Sequence, residues 1–137
     1  MKRFFVLFVS LGLFWGAYAV PATIEEVFNG DTISVKFSDG ENMGEVQKIR
    51  LANADSPESH GKTCDEAEKI AAQAENRVKA LMPVNSVVEV KNIKGGTSGG
   101  KRQANIILSD GRDVGEILIK ENLAHPFDGK HRKSWCK

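Results

Sequence analysis

The segment ATIEEVFNGDTISVKF, residues 22 to 37, decides the reading of the fold. Residues 22–28 and 32–37 are short runs rich in β-branched and aromatic side chains. The sequence Phe28-Asn29-Gly30-Asp31 between them is a tight turn, so the chain opens with two strands. Downstream, Asp39 to Asn42 marks a second turn, and residues 46–51 alternate imperfectly as a third strand. Thr63 and Glu66 have the spacing of a capping box that starts a helix. Ala67, Ile70, Ala71, Ala74, Val78 and Leu81 then recur at three- and four-residue steps as one apolar stripe, and Pro83 ends the pattern. Residues 87–93 and 104–108 supply two more strands. Between them, residues 94–100 are a glycine-rich connection lacking the residue order of a phosphate-binding loop. Asp113 with Glu116 caps a short helix carrying Val114, Ile117, Leu118 and Leu123. Three strands, a helix, two strands and a terminal helix predict a five-stranded OB-type Greek-key β-barrel, with one helix between strands three and four and a short C-terminal helix.

Residues 1–19 place Lys2 and Arg3 before an apolar run from Phe4 to Trp15 and close on Ala17-Tyr18-Ala19. This is the pattern of a secretory signal peptide, and the apolar run is too short for a membrane-spanning helix. Cleavage after Ala19 leaves residues 20–137 as one domain of a secreted or periplasmic protein, with no membrane attachment. Cleavage also removes two of the 19 basic residues and none of the 18 acids, leaving 17 against 18. Net charge therefore gives no general attraction to nucleic acid, and any such ligand needs a local basic patch or a bound cation. The two cysteines, Cys64 and Cys136, are an even count in an exported chain and point to a disulfide. A four-ligand zinc site from His60, Cys64, His131 and Cys136 is the alternative.

Asn29-Gly30-Asp31-Thr32 and the run Arg50-Leu51-Ala52-Asn53-Ala54-Asp55-Ser56-Pro57-Glu58 carry the chemistry. Clustered carboxylates select a hard cation such as Ca²⁺ or Mg²⁺, and a guanidinium grips phosphate with two parallel hydrogen bonds. Lys130, His131, Arg132 and Lys133 form a basic tail that either meets a nucleic-acid backbone or is simply solvated.

These residues, together with Arg102 eight positions before Asp110-Gly111 and the closing Leu123-Ala124, resemble the thermonuclease, or staphylococcal-nuclease-like, family of secreted calcium-dependent nucleases. The tail from Pro126 to Cys136 is similar to a bacterial branch of that family with a cysteine pair. The resemblance implies Ca²⁺ ligated by Asp31, Asp55 and the backbone carbonyl of Ser56. It further implies water activation by Glu58, and the scissile phosphate of DNA or RNA held by Arg50 and Arg102, with 3′-phosphate products. His60 and Lys101 are further candidate substrate contacts, and a monomer is expected. The chain departs from the family in lacking the tyrosine before the second arginine. Its only tyrosine, Tyr18, lies in the signal, so base stacking falls to Phe127, Trp135 or a histidine. A non-catalytic OB-type binder of single strands is the rival reading, and a structural or inhibitory domain with a relic site is a third.

Overall fold

A computed structural model describes residues 18–58, 61, 63–95 and 102–137. The bulk of the expected signal segment, His60, Lys101 and most of the glycine-rich connection lie outside the described residues. Strand β1 (Ala19–Asn29) pairs antiparallel with β2 (Thr32–Phe37), which pairs antiparallel with β3 (Val46–Leu51). After the helix, β5 (Val87–Lys94) and β6 (Arg102–Ile107) form a second antiparallel pair. β5 returns to the first half of β1, and β6 meets β3 in parallel, closing the barrel in the order β1-β2-β3-β6-β5. Closure joins each of these five strands to two neighbours, which removes the barrel's open edges among the described residues. Two register shifts along β1 bend that strand so that it can serve two partners.

The period-two pattern specifies which faces turn inward. Ala22, Ile24, Ile33, Val35, Phe37, Ile49, Leu51, Val88, Val90, Ala104 and Ile106 all lie in one buried cluster. Helix α1 (Asp65–Leu81) seats Ala67, Ala71, Ala74 and Val78 against the barrel, and three of those four are alanines, which lets its backbone approach closely. The expected capping box is not formed. Cys64 is the N-cap residue, no side-chain cap hydrogen bond is made among the described residues, and Thr63 Oγ1 turns to the Cys64 carbonyl at 3.4 Å. Asp65, Glu66 and Glu68 in the first turn favour the positive end of the helix dipole instead. The cap residue is also covalently held, because Cys64 and Cys136 form a disulfide with Cα atoms 5.9 Å apart. With both thiols so bonded, the zinc alternative falls away.

The second helix, α2 (Val114–Lys120), is capped by Asp113, whose carboxylate accepts from the Glu116 N–H. Leu123 lies beyond this helix rather than within it. Asn122 adopts a left-handed φ of 59°, and Leu123 N–H closes on the Leu118 carbonyl at 2.8 Å. Two short strands were not anticipated, β4 (Ala54–Asp55) and β7 (His125–Pro126), which pair with each other. A two-residue ladder has no periodicity to read, so only tertiary pairing reveals it. Among the described residues no helix is long and apolar enough to cross a membrane.

Gly30 fixes the geometry that matters most below. A Cβ added there would sit 2.6 Å from the Ala74 Cβ of α1 and 2.5 Å from Ser56 Oγ, both far inside van der Waals contact. The β1–β2 turn therefore packs directly on the helix and on the strand carrying Asp55. We expect Gly30→Ala to destabilise the protein by about 1–3 kcal/mol through overpacking. Urea unfolding with an unchanged midpoint would contradict that.

Candidate functional site

Three segments meet at one rim of the barrel. The antiparallel register pairs Thr32 with Arg50, and the Leu51 N–H donates to the Asp31 carbonyl at 2.8 Å, so the first turn lies against the end of β3. The Asp31 N–H is held by Asn29 Oδ1. Its carboxylate accepts from Thr32 Oγ1 at 2.9 Å and from the Ser56 N–H at 3.1 Å, which ties the turn to β4. Asp55, one residue earlier, is paired with His125 of β7. Asp31, Asp55 and Ser56 are all buried, with Asp55 only 1% exposed.

Two guanidiniums offset these acids. Arg50 Nη2 donates to Asp55 Oδ1 at 2.6 Å and lies 3.7 Å from Asp31 Oδ2. Arg132, from the tail, brings Nε to the same Asp55 Oδ1 at 2.9 Å, while its Nη1 donates to Glu58 Oε1 at 2.9 Å. The Phe127 ring covers the Arg50 guanidinium, 4.2 Å from its centroid. Burial pushes the Asp31 pKa above its ordinary value, although Arg50, Thr32 and Ser56 pull the other way. For Arg132, burial opposes the charge, but its bonds to Glu58 and Asp55 outweigh that and raise its pKa. Asp55 Oδ2 and Ser56 Oγ are buried with no hydrogen-bond partner among the described residues. A buried carboxylate oxygen left this way is costly unless a cation or a water meets it.

The geometry brings Asp31, Arg50, Asp55 and Ser56 together as the sequence reading expected. It treats Glu58 and Arg102 differently. Glu58 is exposed at the mouth, reaching the site only through Arg132. Arg102 pairs with Ile49 in the parallel β3–β6 ladder, whereas Arg50 pairs with Gln103. Ladder partners share a face, so Arg102 leaves the strand on the side of the inward-facing Ile49 and opposite to Arg50. With the Asn42 amide oriented so that its oxygen accepts, Arg102 Nη1 lies 3.2 Å from it. None of the bonds within the acidic cluster includes Arg102. Of the aromatic candidates, Phe127 lies on Arg50, and Trp135 is stacked on His125 with centroids 3.6 Å apart. In sequence Arg132 reads only as one residue of the basic tail, with contact to a nucleic-acid backbone or simple solvation both open, and is not placed with the acids. It lies 77 positions beyond Asp55, and the tail cysteine was the only signal that its segment returns to the site.

The donor set suits a hard cation in part. Asp31 and Asp55 present carboxylate oxygens, one of them orphaned, but among the described residues no three His, Cys, Asp or Glu side chains converge as a metal cluster. Two carboxylates completed by backbone carbonyls and water remain within the usual oxygen coordination of Ca²⁺. Comparison with family models and with curated proteins gives no match, so the functional reading stands on these residues and their geometry.

The raised Asp31 pKa sets a sign for pH dependence. The native state binds that proton more tightly than the unfolded chain, so the contribution of Asp31 to stability falls as pH rises through and above 3.8. Asp31→Asn removes this slope. The difference in Tm between Asp31→Asn and the parent is expected to grow in favour of the variant from pH 4 to pH 6, and a difference that shrinks would contradict the assignment.

Proposed function

We propose that this protein is an exported phosphodiesterase that hydrolyses DNA and RNA with the aid of Ca²⁺ and little sequence preference. The observation that carries the reading is the convergence of two buried carboxylates and two guanidiniums on one rim, with Asp55 Oδ2 left unpartnered. Such a concentration of charged groups costs stability, and functional sites are where proteins tolerate that cost. Within the ion-paired cluster itself, three carboxylates (Asp31, Asp55, Glu58) face two guanidiniums (Arg50, Arg132), an excess of negative charge that repels phosphate and that a divalent ion offsets.

Phosphodiester hydrolysis requires neutralised non-bridging oxygens, a polarised phosphoryl group and a positioned water. Asp31 and Asp55 would hold a hard cation, which would supply Lewis acidity and charge neutralisation. Arg50, with its Nη2 committed to Asp55 and its guanidinium stacked on the Phe127 ring, keeps its remaining N–H groups for a phosphate. Glu58 is held at the mouth through Oε1, where its carboxylate orients the attacking water. By the family resemblance the products carry a 3′-phosphate. A pure single-strand binder gains nothing from two buried acids that repel the backbone it must hold.

Protein comprising residues 20–137 is expected to digest single-stranded DNA in added Ca²⁺ and to stop on chelation. Binding without cutting would favour the non-catalytic OB-type reading, and cutting that survives chelation would reject the metal role. Arg50→Lys keeps the buried charge and removes the planar fork, so it is the cleaner variant. Its kcat/KM should fall about tenfold or more, with the Tm near that of the parent.

A further inference from the structure

We propose that Arg132, presented by the disulfide-pinned tail, is the second phosphate-gripping arginine of this site, in place of Arg102. The proposal rests on the nuclease reading for its catalytic consequence, but its first measurement is binding alone. Arg132 Nε and Arg50 Nη2 meet the same oxygen, Asp55 Oδ1, at 2.9 and 2.6 Å, which sets two guanidiniums side by side over one carboxylate. Only Nε and Nη1 of Arg132 are engaged by Asp55 and Glu58, and the side chain is 44% exposed. Among the described residues its other N–H groups have no partner, which leaves them for an anion at the rim. Arg102 leaves β6 on the Ile49 side, and with the Asn42 oxygen accepting, its Nη1 lies 3.2 Å from Asn42 rather than at Asp55.

A catalytic arginine on a chain terminus needs support, and this tail has it at successive points. Phe127 N–H donates to the Asn53 carbonyl, extending the β4–β7 pairing. Asp128 accepts from the N–H groups of Lys130 and His131 and from the His131 ring, forming a closed turn, and these bonds hold its carboxyl well below the usual range. Gln103, the ladder partner of Arg50, donates to the Gly129 carbonyl at 3.4 Å. Beyond Arg132, Trp135 stacks on His125 and Cys136 is bonded to Cys64. Arg132 is thus fastened on both sides, the preorganisation that a transition-state contact demands.

The test measures affinity for a fluorescein-labelled single-stranded phosphorothioate oligothymidylate, which resists cleavage, by anisotropy in saturating CaCl₂ and over a range of salt concentrations. It compares the parent with Arg132→Ala, Arg132→Lys and Arg102→Ala. Arg132→Ala should weaken binding about tenfold and lower the salt slope by about one, whereas Arg102→Ala leaves both near the parent values. Arg132→Lys should restore the salt slope but not the full kcat/KM for digestion in Ca²⁺, because a point charge lacks the fork. The Cys64→Ser/Cys136→Ser pair should lose affinity in the same direction as Arg132→Ala. Arg132→Ala keeps the disulfide, so it decides the matter even if the cysteine variant does not fold. Parent-like binding by Arg132→Ala, or faster digestion by it, would overturn the proposal, the latter making Arg132 an internal competitor for the acids. A parent that binds but never cuts, with Arg132→Ala still weakened, would retain the phosphate contact while rejecting the nuclease reading.

Discussion

Two carboxylates buried at the rim of an apolar barrel are the constraint to which the rest of the molecule answers. Asp31 and Asp55 come from separate segments and are brought together because Gly30 lets the first turn pack directly on Ser56 and Ala74. Once there, neither can be left as an isolated charge, since burying an unpaired carboxylate is prohibitive. Asp31 is therefore wrapped by the Thr32 hydroxyl and the Ser56 N–H, and Asp55 takes two guanidiniums on a single oxygen. Its other oxygen has no partner among the described residues, and that residual demand is the physical basis of the proposed hard cation.

The tail is the second consequence. Arg132 reaches the acids only because the chain beyond α2 turns back through β7, the Asp128 turn and the disulfide. The disulfide joins residues 72 positions apart, and on a chain-entropy account a loop that long is worth about 4 kcal/mol of restricted unfolded state. It also binds the N-cap of α1 to the segment that carries Arg132, so the helix supporting Gly30 and the tail supplying the cation share one anchor. The disulfide and the lack of a membrane-spanning helix among the described residues are compatible with an extracytoplasmic protein.

Most of the barrel was legible in the sequence because its strands alternate and its turns carry glycine and asparagine. The runs at 22–28, 32–37 and 46–51 fall within β1, β2 and β3, and the alanine-rich stripe became α1. Local pattern misled where tertiary contacts decide. The Thr63 and Glu66 spacing fits a capping box, yet the cap fell to Cys64, whose position is set from residue 136. The same limit divides the site. Asp31, Arg50, Asp55 and Ser56 lie next to turns whose pairing follows from short-range sequence, and they converge. Arg102 has the expected position in the chain, but a ladder register invisible in sequence points it away, while Arg132 stood in a basic tail that reads as either a nucleic-acid contact or a solvated segment.

The proposed chemistry requires, before anything else, that the acid pair take up a cation. Thermal unfolding of the protein in chelator and in increasing CaCl₂ measures that uptake without relying on any enzymatic readout. Ca²⁺ is expected to raise the Tm of the parent in a saturating, concentration-dependent way, as a ligand bound only by the native state must, and to leave Asp55→Asn nearly unmoved. A parent Tm indifferent to Ca²⁺, or an equal rise in both proteins, would contradict the central claim.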